Sequence, residues 1–258
     1  MNLLEISKFL SLASGITTIG LLLAIAFFLN DVEGKLGERA KALRNVTSIA
    51  ALAWVIATGV SIVATLANIL GTDLSGALDP TSIRSFISQI TLGKYMFAQL
   101  CLALLVATIV ARIRGVAGAN ALLLLSLAAI IAPVFESHAA SGGSHSLVIG
   151  SLIIHVIALS LWVGGVIALA FLSSQDRAVA VPRFSQIALW SAIAVVISGT
   201  VNAWSRLNFS GAFDSTYGFI VLGKVAATVI LLWIGYLHRK TLSNKESINW
   251  AGFARLIS

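Results

Sequence analysis

The sequence predicts an all-α, polytopic membrane helical bundle of about seven transmembrane helices, and three observations carry that reading. Of the 258 residues, 58% are apolar and 10% charged, a mixture that suits a bilayer and leaves too few charges to cover a soluble domain of this size. The apolar residues come in runs of roughly 20, the length that crosses a hydrocarbon core of about 30 Å. Lys and Arg collect in alternate connections between those runs, which is how multispanning chains set their orientation.

The runs fall at about 9–30, 47–70, 93–111, 117–134, 147–172, 184–205 and 217–237. Short polar connections join them, so neighbouring spans run up and down. Lys35, Arg39, Lys41 and Arg44 follow the first run, Arg112 and Arg114 the third, Arg177 and Arg183 the fifth, and Arg239, Lys240 and Lys245 the seventh. The alternate connections hold Arg84 and Arg206, and 135–146 has no Lys or Arg. The N-terminus and the 135–146 connection are therefore expected outside, and the end of the seventh run inside. A cysteine at Ser144 is expected to react with an impermeant thiol reagent in intact cells.

The net charge of +7 belongs to this asymmetry, and no nucleic-acid partner is expected. Glu5 and Lys8 before a long apolar run do not make a cleaved signal. Residues 1–134 read as a four-helix N-terminal membrane region and 135–245 as a three-helix region. Residues 246–258 read as an interfacial segment or the start of a further helix. "LSGALD" (Leu74–Asp79) and "FSGAFD" (Phe209–Asp214) follow the second and sixth runs, and "LGK" opens the third and seventh. This is the pattern of a duplicated three-span unit, or a recurrence of Leu, Gly and Ala by chance.

Three of the 4 histidines lie between Glu136 and Gly165. His138 and His145 sit in a Gly/Ser/Ala-rich segment, while His155 is inside the fifth run, about 12 Å below its outer end at 1.5 Å per residue. An ionisable group at that depth is costly unless it meets protein or water, which marks it as a functional candidate. The alternative is a neutral imidazole bonded to a backbone carbonyl of a neighbouring helix, with two solvated histidines above it. Read as ligands, His138, His145, His155 and Glu136 suit Cu(II) or Zn(II), since Met96 and Cys101, the softer donors, both lie in the third run. Imidazole must be deprotonated to bind metal, so affinity is expected to fall in acid. His-x6-His matches no fixed metal signature, and one cysteine excludes a Cys cluster or internal disulfide.

"SHAASGG" followed by "IIHVIALSLWVGGVIALA" resembles the histidine segment and H-x6-W-x-G-G helix of the copper resistance protein D family. "STYGFIVLGKVAATVILLWIGYLHRKTL" (Ser215–Leu242) is similar to that family's later motif, with Tyr217, Gly218, Leu222 and Lys224 in its places. The resemblance covers about 136–242. It implies an inner-membrane protein of copper uptake and copper tolerance, working beside a periplasmic copper carrier. It also implies His138 and His155 as ligands, with Trp162, Gly164 and Gly165 as a helix-packing motif. Gly165→Leu is then expected to reduce folded yield more than Gly20→Leu. The segment from His238 to Ser258 is similar to the joint in actinobacterial fusions with a cytochrome c oxidase assembly region, which makes that assembly machinery a second expected partner, besides membrane lipid.

Lys94 and Lys224 are expected to snorkel to headgroups, Trp204 and Tyr217 to join an aromatic belt, and Asn202 and Arg206 to support a site from a distance. Copper handling at outer-face histidines, in a multi-pass cell-membrane protein that is not an enzyme, is the leading expectation. A membrane cytochrome with haem b is the first alternative, weakened because paired axial ligands are needed at depth and His155 alone is there. A non-catalytic assembly module is the second. No hydrolase triad, phosphate loop or nucleotide fold is present in the sequence.

Overall fold

The computed structural model describes residues 2–29, 34–136, 145–206, 218–219, 221–230, 233 and 235. Helix α1 (Leu3–Leu23) opens on a capping box, Asn2 accepting from the Glu5 amide while Glu5 accepts from the Asn2 amide. It ends in a π-helical turn, Ala24–Phe28. Helix α2 (Glu38–Leu70) ends on Gly71, whose φ of 64° is a left-handed cap that glycine adopts without strain. Short helices α3 (Leu74–Ala77) and α4 (Pro80–Gln89) then lead to α5 (Thr91–Val110). Helix α6 (Val116–Ile131) tightens into a 3-10 turn, Ala132–Phe135, and α7 (His145–Ala170) and α8 (Ser174–Arg206) follow.

Six of these helices are long and apolar enough to cross a membrane, matching the first six predicted runs. The seventh run lies partly outside the described residues, which include a shorter apolar helix at Val221–Ile230. The chain forms two compact units, Met1–Ser198 and Gly199–Ser258. "FSGAFD", Tyr217, Arg239, Lys240 and the 246–258 segment fall outside the described residues.

Helices α1, α2 and α8 start earlier than hydropathy predicts, the last two by the most. Helices α2 and α8 each have 33 residues, on the order of 50 Å at 1.5 Å per residue, well beyond the hydrocarbon thickness. Hydropathy registers the stretch in lipid, not the polar turns that carry Glu38 to Arg44 or Asp176 to Arg183 past it. The connection before α5 is also helical, not a plain polar link. Asp79 caps α4 by accepting from the Ser82 amide at 2.8 Å, and Pro80 opens it. Phe86 drops from α4 into a core of Ile62, Leu66, Ala77 and Met96. Asp73 caps α3, and the Gly76 amide and Ser75 hydroxyl hold its carboxyl below the usual carboxylate range.

The predicted inner connections meet at one end of the bundle. Leu36 donates to the Arg114 carbonyl at 3.1 Å and Val116 to the Gly34 carbonyl at 3.1 Å, while Arg44 donates to the Ile113 carbonyl at 3.0 Å. Arg39 pairs with Asp176. Arg183 donates to the Phe27 and Phe28 carbonyls at 3.3 and 3.2 Å, groups that the end of α1 leaves without helical partners. The three connections after the first, third and fifth spans therefore lie together, with their basic residues. By the positive-inside rule this end is expected to face the cytoplasm.

Candidate metal-handling site

Helix α7 carries the histidines into the bundle, and small residues set its position. Gly164 lies against α1, where an added methyl at Gly20 would collide with the Gly164 backbone and one at Gly164 would sit 2.6 Å from the Ile16 carbonyl. Gly165 faces α8 instead, and its missing side chain is filled by the Phe184 ring. Phe184 in turn meets Phe28 edge-on, with ring centroids 5.7 Å apart. The two glycines of the W-x-G-G motif thus serve two different neighbours, as close approach in lipid requires. Gly20, expected to be the tolerant position, is the tighter one, because its contact is backbone and cannot rotate away. The sequence signal was present, a glycine in an apolar run, but its partner is not adjacent in sequence.

His155 is half-buried on α7, and its Nδ1 lies 3.0 Å from the Ser198 hydroxyl of α8. One turn earlier on the same face, Ser151 donates its hydroxyl to the Ser198 carbonyl at 2.9 Å. One polar bond of His155 is therefore to a side-chain hydroxyl of the neighbouring helix. Ser151 and Ser198 are both buried and were not singled out by sequence. Ser151 was legible, since i and i−4 share a helix face. Ser198 was not, because nothing local links it to position 155.

His145 is the first residue of α7, not part of the preceding connection. Ten residues along one helix separate it from His155, a rise of about 15 Å, so their backbones are too far apart for both rings to reach one metal ion. His138 lies outside the described residues, as does Ser144. Glu136 follows the 3-10 turn and is half-buried. Nearby, Phe135 stacks on Tyr95 with centroids 5.8 Å apart, tying the outer ends of α6 and α5. Among the described residues no three His, Cys, Asp or Glu side chains come together as a metal-holding group. Cys101 is exposed and Met96 is buried in the outer core. Lys94 is exposed at the start of α5, as is Trp204 near the end of α8.

The comparisons with known proteins decide the family. Residues 2–147 match the family described as "Copper resistance protein D-like, N-terminal domain", and residues 178–254 match "Copper resistance protein D". The first match alone covers more than half of the chain. The chain belongs to the copper resistance protein D family. His155 itself lies between the two matched ranges. A relative that is similar over 94% of this chain is the copper transport protein CutJ of Bacillus subtilis (strain 168), 28% identical over 269 residues. The chain spans about half the length of that relative, 49% of it. No solved structure matches. Family and fold together make this a multi-pass membrane protein of the copper resistance protein D family.

Proposed function

We propose that this copper resistance D family member moves copper inward across the membrane, with His155 as an intramembrane ligand on the path. The observation that supports it most is an imidazole about 12 Å down a spanning helix, tied to a hydroxyl of the next helix at 3.0 Å. An imidazole at that depth costs free energy that pure packing does not require. His138, His145 and Glu136, at the outer end of α7 and before it, are the proposed capture groups, where copper exchanges water for protein ligands. The rise of about 15 Å between His145 and His155 makes these successive stations and not one cluster. Uptake asks for binding strong enough to draw the ion in and weak enough to release it.

Copper here is cargo and no covalent chemistry is assigned. An extracytoplasmic copper carrier delivering to the outer end, and a link to cytochrome c oxidase assembly, belong to the same proposal and rest on resemblance alone. The test is metal analysis of the purified protein, wild type against His155→Ala, with a visible spectrum of each. Copper that falls by about one equivalent in His155→Ala supports the reading. Equal copper in both proteins, or a Soret band with sharp reduced peaks, overturns it in favour of packing or haem.

A further inference from the structure

Helix α5 carries an exposed stripe that runs from Lys94 through Phe97, Leu104, Leu105 and Thr108 to Arg112, just past its end. The spacing is that of one helix face, and the opposite face, with Met96, Ala103 and Val110, is buried. From Lys94 to Arg112 the rise is about 27 Å, close to the hydrocarbon thickness of about 30 Å. The stripe therefore faces acyl chains, and the cation at each end stands at headgroup depth. At the Arg112 end more charge is gathered. Lys35 forms a backbone bridge with Gly115, and Leu36 donates to the Arg114 carbonyl at 3.1 Å, which brings Lys35 beside Arg114. Arg112 donates its Nη1 to the Thr108 carbonyl one turn back, which keeps its guanidinium over the end of the stripe. Arg39 and Lys41 are taken by Asp176 and Glu38. Lys35, Arg112 and Arg114 are exposed, and among the described residues none of them pairs with a carboxylate. Like charges gathered on one corner repel one another, so an anion among them is favoured.

We infer that this corner of the bundle binds an anionic phospholipid, its headgroup phosphate held by Lys35, Arg112 and Arg114 and its acyl chains lying along Leu104 and Leu105. A guanidinium presents paired donors that match phosphate oxygens, and a lysine adds a mobile point charge. Some lipid lies on the apolar stripe in any bilayer, so the cations select its headgroup. A free phosphate ion would have to displace that lipid without gaining the stripe. Basic groups set between spanning helices at the membrane surface recognise headgroups in this way, each contributing a preference of about five-fold. The inference goes beyond the copper reading and does not rest on it.

The test titrates the full chain, in a neutral detergent, with palmitoyl-oleoyl phosphatidylglycerol or with the phosphatidylcholine of the same chains, and counts bound lipid by native mass spectrometry. Wild type is expected to hold one phosphatidylglycerol about 10-fold or more tighter than phosphatidylcholine, a preference that falls as salt rises. Lys35→Gln, Arg112→Gln and Arg114→Gln are each expected to lose about five-fold of it, and the triple variant all of it. Lys94→Gln, at the other end of the same stripe, is expected to keep it. The changed side chains are exposed, and the three single variants decide the matter if the triple one fails to fold. Equal binding of the two lipids by wild type overturns the inference. A preference that survives in every single variant, or that Lys94→Gln loses to the same extent, overturns the placement at this corner. Inorganic phosphate that displaces phosphatidylglycerol at equal concentration overturns the lipid in favour of a free anion.

Discussion

At position 20 even one methyl group has no room, because what it meets is the main chain of Gly164. At position 165 the obstacle is the Phe184 ring, a side chain able to swing at the cost of its contact with Phe28. At Gly59 nothing lies within 4 Å of an added methyl. Overpacking typically costs about 1–3 kcal/mol, so Gly20→Ala is expected to lower the thermal midpoint and folded yield most and Gly165→Ala less. Gly59→Ala is expected to be neutral or slightly stabilising through helix propensity. Fluorescence-detected size exclusion after a temperature series reads this order, and Gly20→Ala surviving as well as Gly59→Ala would contradict the α1–α7 contact. The motif around Trp162 announced close packing in sequence. Which surface each glycine touches did not, since α1 lies more than a hundred positions away. His155 was likewise legible as an oddity in oil, but the hydroxyl that binds it is 43 positions on.

Among the helices, the inner end is held by side chains that reach between elements. Asp176 on α8 takes Arg39 from α2 and the Ser173 hydroxyl at 2.6 Å. The Asp176 side chain is 11% exposed and that of Arg39 59%, so removing the carboxylate strips the more enclosed partner. Asp176→Ala is expected to destabilise more than Arg39→Ala, read as the loss of folded protein on heating. The reverse order would mean that the pair is a surface ion pair of little worth. Orientation belongs to this scale too. With Cys101 replaced by Ala, a cysteine at the exposed Thr81 between α2 and α5 is expected to react with an impermeant maleimide in intact cells. One at Lys41, among the clustered basic residues, is expected to react only after permeabilisation. The opposite pattern would invert the bundle. The first six spans were legible because run length is local. The helix extensions at Glu38 and Ser174 were not, because hydropathy ends where lipid ends and helices continue on propensity.

For the molecule as a whole, an all-α bundle whose first, third and fifth connections lie together, membership of the copper resistance protein D family and similarity to a copper transport protein point one way. The histidines follow a direction, from the outer groups before and at the start of α7 to a single ring within it. Loss of an outer group is expected to weaken capture. His138→Ala should raise the external copper needed for half-maximal uptake by several-fold, a loss that higher copper restores. Loss of the inner ring is expected to stop passage while surface binding persists. The central claim is that His155 is on the path of the ion. Its most direct test is copper accumulation by intact cells expressing His155→Ala and wild type at equal membrane levels, measured over a range of external copper. The account predicts accumulation at the level of cells lacking the protein, which added copper does not rescue. Accumulation that matches wild type would contradict it and return His155 to packing.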